Sequence, residues 1–101
     1  MLLIAKHKLY LVYYTSQGID SLIGATVNNP EGAIDLAKSK LIMLKQQNSK
    51  PVTAIKIKVL DDNSVSLYSA KEATTYVLSV LDSYNINSEE LNKFIKESRN
   101  Q

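Results

Sequence analysis

Residues 52–60 read Val-Thr-Ala-Ile-Lys-Ile-Lys-Val-Leu, and from Ile55 onward apolar and cationic side chains alternate. A period of two is the signature of a strand with one face buried and one in water. Ile55, Ile57 and Val59 are expected inward, Lys56 and Lys58 outward. Just beyond, Asp61-Asp62-Asn63-Ser64 reads as a polar turn and Val65–Tyr68 as a short returning strand, so a hairpin is predicted.

On the N-terminal side, Pro51 closes the polar run from Gln46, which ends a helix. That helix starts at Asn28-Asn29-Pro30-Glu31: Asn29 can cap, Pro30 suits the first helical position and Glu31 suits the positive end of the dipole. Ile34, Ala37, Leu41 and Leu44 recur at spacings of three and four, one helical face. Leu36 and Met43 add a second apolar row, so the helix needs covering on more than one side.

Further out, Lys6–Tyr14 (KHKLYLVYY) is rich in the aromatic and branched residues that fit a pleated surface. Thr15-Ser16-Gln17-Gly18 supplies a turn, and Ile19–Val27 a weaker strand in which Gly24 suggests a bulge or an edge. Toward the C-terminus, Ser69-Ala70-Lys71-Glu72 matches a capping box. Ala73, Tyr76, Val77, Val80, Leu81 and Tyr84 follow at helical spacing, so a helix is expected there. Asn87-Ser88-Glu89-Glu90 opens a last helix, with Ile86 and Leu91 placed as a hydrophobic staple and Leu91, Phe94 and Ile95 as its apolar side. Residues 98–101 are expected to fray.

The expected order is therefore β-β-α-β-β-α-α. Two hairpins join into a four-stranded antiparallel sheet with helices on one face, a two-layer α+β domain spanning residues 1–101. A length of 101 residues suits one domain, and 45% hydrophobic residues exclude wholesale disorder.

Several chemistries are absent from the pattern. There is no Cys, so no disulfide, thiolate or sulfur-ligated zinc. The three glycines are too far apart for a phosphate cradle, and no Gly-x-Ser-x-Gly elbow occurs. The single histidine, His7, has no orienting partner nearby in sequence and reads as a partly buried strand residue. Asp61-Asp62 and Glu89-Glu90 fit a turn and a first helical turn better than a metal site. No catalytic residue, metal ligand or cofactor is expected, and the chain reads as a non-enzymatic module. Lys6-His7-Lys8 interrupts Met1–Ala5 before any secretory apolar run, and no stretch is long enough to span a membrane, which leads to a cytoplasmic expectation.

Charge is uneven. Residues 1–60 hold eight lysines against three acids, whereas residues 61–101 hold three lysines and one arginine against seven acids. If Leu9 and Leu11 turn inward with Ile55, Ile57 and Val59, the opposite face gathers Lys6, Lys8, Tyr10, Tyr14, Lys56, Lys58 and Tyr68. Exposed aromatic patches mark contacts. The leading expectation is a homodimeric interaction module acting through the open sheet face or an apolar helix face. The second is nucleic-acid binding, with lysines on phosphates and tyrosines stacked on bases.

Overall fold

The computed structural model describes residues 7–62 and 71–99. The chain runs β1 (His7–Ser16), β2 (Ile19–Val27), α1 (Pro30–Gln46), β3 (Ala54–Asp62), β4 (Lys71–Leu81), a 3₁₀ turn (Asp82–Tyr84), β5 (Asn85–Ile86) and α2 (Ser88–Arg99). The strands form one antiparallel curled sheet in the order β2-β1-β3-β4-β5. The α+β class stands; the sheet has five strands rather than four.

The helix expected over residues 73–84 is the main correction, because those residues form β4 and the 3₁₀ turn. Ala73, Tyr76, Val77, Val80 and Leu81 fit a helical stripe, but Tyr76, Leu78 and Val80 fit a period of two equally well. Two forces select the strand. Thr74, Thr75, Tyr76 and Val77 are β-branched or aromatic and suit a pleat. The edge of β3 away from β1 also needs a ladder for its backbone. Pairing Ile55 with Leu78 and Ile57 with Tyr76 supplies one. The short strand expected at Val65–Tyr68, and the cap at Ser69, fall outside the described residues.

Local signals elsewhere behave as expected. Gln17 and Gly18 both have positive φ (53° and 78°), as a two-residue hairpin turn requires. The Asn29 side chain accepts from the Gly32 amide at 2.9 Å, with Pro30 at the start of α1. Gly24 combines both suspected roles: β2 is an edge strand, and the residue beside Gly24, Ile23, is the extra one of a bulge opposite Val12 and Tyr13. Asn87 accepts from the amides of Glu89 and Glu90 and opens α2. Ile86 and Leu91 both pack on the core. α2 remains helical through Arg99, so Ser98 and Arg99 do not fray; the Arg99 guanidinium pairs with Glu31 on α1.

Both helices cover the same face of the sheet. Ala33, Ile34, Ala37, Leu41 and Leu44 of α1 and Phe94 of α2 share one buried cluster with Tyr10, Val12, Ile55, Ile57, Val59 and Leu78. Phe94 meets Tyr10 and Tyr76 edge-on, at centroid distances of 6.0 and 4.9 Å. That is the favoured aromatic geometry, with each ring's positive rim against its neighbour's negative face. Among the described residues no helix is long and apolar enough to cross a membrane.

Candidate functional site

Among the described residues no helix covers the other face of the sheet, and register decides what lies there. β3 obeys its alternation: Ile55, Ile57 and Val59 are buried, so Lys56 and Lys58 lie on the open side. In β1, Tyr10 pairs with Val59 and Val12 with Ile57, and both are buried (2% and 0% exposed). Tyr14 pairs with Ile55 and lies under α1, whose Lys40 ammonium is 5.7 Å from the ring centroid.

The expected Lys/Tyr face is therefore split. Lys8, Tyr10 and Tyr14 share the helix-side parity, while Lys56 and Lys58 point the opposite way. Lys6 and Tyr68 lie outside the described residues. The cause is that β1 is apolar on both faces from Leu9 to Tyr14, so aliphatic character gave no parity. Tyr10 offers a larger body than Leu9 or Leu11 and finds Phe94 as partner. Burial pushes the Tyr10 hydroxyl pKa up, against the lowering effect of its hydrogen bond with Ser98. Burial followed by a hydrogen bond with Glu97 pushes that of Tyr76 up to about 12. His7 is exposed rather than partly buried, with Nδ1 3.5 Å from the Asn28 amide nitrogen.

What the open face carries is mostly apolar. β1 contributes Leu9, Leu11 and Tyr13, β3 Leu60, β4 Val77 and Leu81, and β2 Leu22, Ala25 and Val27. Leu22, Val27 and Val77 are 60%, 58% and 52% exposed. Two cations cross this surface. Lys56 Nζ lies 2.7 Å from Asp20 Oδ2, while Thr15 Oγ1 donates to Asp20 Oδ1 at 2.6 Å. Lys56 and then Thr15 hold the Asp20 carboxyl below its usual pKa. The Lys58 ammonium lies 5.4 Å from the Tyr13 ring centroid.

Tyr13 and the aliphatic residues were not among the expected site residues, yet a signal for them exists. A two-residue turn at Gln17-Gly18 fixes Thr15 opposite Asp20. Asp20 belongs on a solvated face, so Thr15, Tyr13 and Leu11 follow it there by alternation.

Two open clefts flank Tyr84. One, of about 880 Å³, is lined by Pro51, Val52, Val80, Leu81, Asp82, Tyr84 and Asn85. The other, of about 590 Å³, lies between α1 and the start of α2 and includes Lys38, Ile42, Ile86, Ser88 and Leu91. Neither brings a nucleophile together with a base. No group of three or more His, Asp or Glu converges among the described residues. A scan against protein-family models, a search of curated proteins and a search of solved structures each found no match.

Proposed function

We propose that this chain is a non-enzymatic interaction module that self-associates through the open face of its sheet. The observation carrying this reading is the apolar surface opposite the helical layer, which no described element covers: Leu22, Val27 and Val77 are exposed there, beside half-buried Leu9, Leu11, Tyr13 and Leu60. Contiguous apolar surface of this kind is costly in water and marks a contact. Two such faces can stack as a sandwich, about 10 Å apart. Four strands about 4.8 Å apart and about 30 Å long give a face of roughly 570 Å², or about 1,100 Å² for two copies. That is near the small end of stable interfaces, which start at about 1,200 Å². Self-contact also tolerates the cations, since Lys56 already holds Asp20 and Lys58 already lies on Tyr13.

The same geometry weakens the nucleic-acid reading. Two lysines and one tyrosine remain together on the open face, Lys56 is already held by Asp20, Glu72 adds a second carboxylate opposite Leu60, and most of the other side chains are aliphatic.

Sedimentation equilibrium at micromolar concentration tests the proposal. A mass of two chains or more is expected, against 11.3 kDa for one. Leu11→Glu places a carboxylate in the centre of the face, where Lys58 opposite it can hold the charge and keep the fold. This variant should lower the mass. A single-chain mass for the unaltered protein, or no change in Leu11→Glu, would overturn the reading.

A further inference from the structure

We infer that the cleft between α1 and the start of α2 binds a small aliphatic carboxylate, with its anionic head on Lys38 and Asn92 and its tail over Ile42, Ile86 and Leu91. The inference goes beyond self-association and does not rest on it, because the cleft lies in the helical layer, on the opposite side of the sheet from the open face. Helix geometry builds the head site. Arg99 at the end of α2 pairs with Glu31 at the start of α1, and Lys38 and Ile42 further along α1 share the cleft with residues near the start of α2. The two helices therefore run in opposite directions. Lys38 lies as far along α1 from Glu31 as Asn92 lies back along α2 from Arg99, and the same holds for Ile42 and Ser88. Lys38 thus falls level with Asn92, and Ile42 with Ser88 one turn further, at about 1.5 Å of rise per residue.

The side chains of Lys38, Ser88 and Asn92 have no hydrogen-bond or ion-pair partner among the described residues. An ammonium and an amide NH₂ at one level are donors that suit the two oxygens of a carboxylate. Glu90, in the first turn of α2, does not compete for Lys38, since it accepts from the Ser79 amide at 2.9 Å. The tail site is apolar. Ile86 and Leu91 pack on the core, while Ile42 faces the cleft and is 59% exposed, so covering it removes apolar surface from water. Tyr84 closes the cleft. It has a φ of 64°, a left-handed conformation that is unusual for an aromatic residue. Its hydroxyl donates to the Ser49 carbonyl at 2.9 Å, which anchors the ring to the connection between α1 and β3. Strained residues held by their surroundings in this way cluster at ligand sites.

Charge names the occupant and chooses between the two clefts that share Tyr84. Lys38 is the one charged residue among the described residues lining this cleft, whereas Asp82 is the one in the larger cleft. An anion with an apolar tail is therefore drawn to the first and repelled by the second. The volume of about 590 Å³ suits a small organic molecule, for which clefts of about 300–1,000 Å³ are usual.

Titration of the nitrogen-15-labelled full chain with decanoate, below the concentration at which it forms micelles and followed by amide NMR shifts, tests the inference. Saturable shifts are expected at Ser88, Leu91 and Asn92, and not at Val80 and Leu81 in the larger cleft. Decanol carries the same tail without the charge. The unaltered protein should bind decanoate about fivefold more tightly than decanol, the worth of a partly solvated ion pair. Lys38→Gln, an exchange on an exposed helical face, should bind the two alike. Ile42→Ser should weaken both ligands and keep the preference for decanoate, which separates the tail contact from the head contact. Three results would each overturn the inference: no saturable shift at Ser88, Leu91 and Asn92; shifts centred on Leu22 and Val77 of the open sheet face; or a preference for decanoate that survives in Lys38→Gln. The sedimentation mass reads the face contact separately, so either idea can fail without the other.

Discussion

The two faces of this sheet are built from similar residues and have opposite fates. The inner face sets Tyr10, Val12, Ile55, Ile57, Val59 and Leu78 against two helices and seals them. The outer face carries Leu9, Leu11, Tyr13, Leu60 and Val77, and among the described residues no helix lies over them. Hydrophobicity alone does not say which face a helix will cover. In β1 the deciding difference is the partner: Phe94 of α2 takes both Tyr10 and Tyr76 edge-on, and nothing equivalent waits for Tyr13.

Single substitutions should separate the faces most clearly at Phe94. Phe94→Ala empties a fully buried site between two rings and should cost about 3–5 kcal/mol in urea unfolding. Leu22→Ser on the outer face should change the stability of the isolated chain by no more than about 0.5 kcal/mol. It should, however, reduce the rise of Tm with protein concentration that association produces. Equal losses from the two changes would mean that the faces do not differ as described.

Between these extremes lies the cap of α1. Asn29→Ala should lose about 1 kcal/mol, read from the same unfolding curves. Gly32→Ala should not give the usual gain of a helical glycine replacement, because the added carbon would lie 2.4 Å from the Asn29 amide nitrogen.

Titration should also distinguish the faces. On the inner face, Tyr76 and Tyr10 have raised pKa values in the folded state, Tyr76 to about 12. Above the unfolded value near 10 the unfolded chain ionises first. Their contribution is therefore complete below about pH 10 and is lost as pH rises toward 12. Phenolate absorbance should show Tyr10 and Tyr76 titrating late, and Tyr76→Phe should remove one late step. On the outer face, Asp20 has a lowered pKa, chiefly from Lys56, and its contribution is present above the usual carboxylate range. That contribution disappears as pH falls through the folded value, and Asp20→Asn should flatten this acid limb slightly. Glu31, lowered first by Arg99 and then by its own backbone amide, follows the same sign. These exposed carboxylates should give the smallest effects of the set.

Legibility in the sequence tracks how local each signal is. The cap at Asn29-Pro30, the Gln17-Gly18 turn, the start of α2 and the alternation of β3 each depend on a few neighbouring residues, and each is present in the fold. The β4 segment failed because Tyr76, Val77, Val80 and Leu81 satisfy both periods, and the pairing of β3 with β4 decided between them. The Lys/Tyr face failed one level higher. Parity in β1 is a property of register, and only Asp20, two strands from Lys56, carried a polar clue to it. The single bulge at Ile23 moves part of β2 relative to β1, so an unbroken alternation misplaces residues beyond it.

The pairing of β1 with β3 spans the whole of α1, whereas β1–β2 is a tight hairpin. Distant pairings must close a long loop before any contact rewards them, which slows assembly. Joining the N-terminal hairpin to β3 is thus the expected kinetic bottleneck. Truncating Val12 or Ile57, which meet across that seam, should retard refolding in stopped flow, while truncating Ile23 on the far edge should chiefly hasten unfolding.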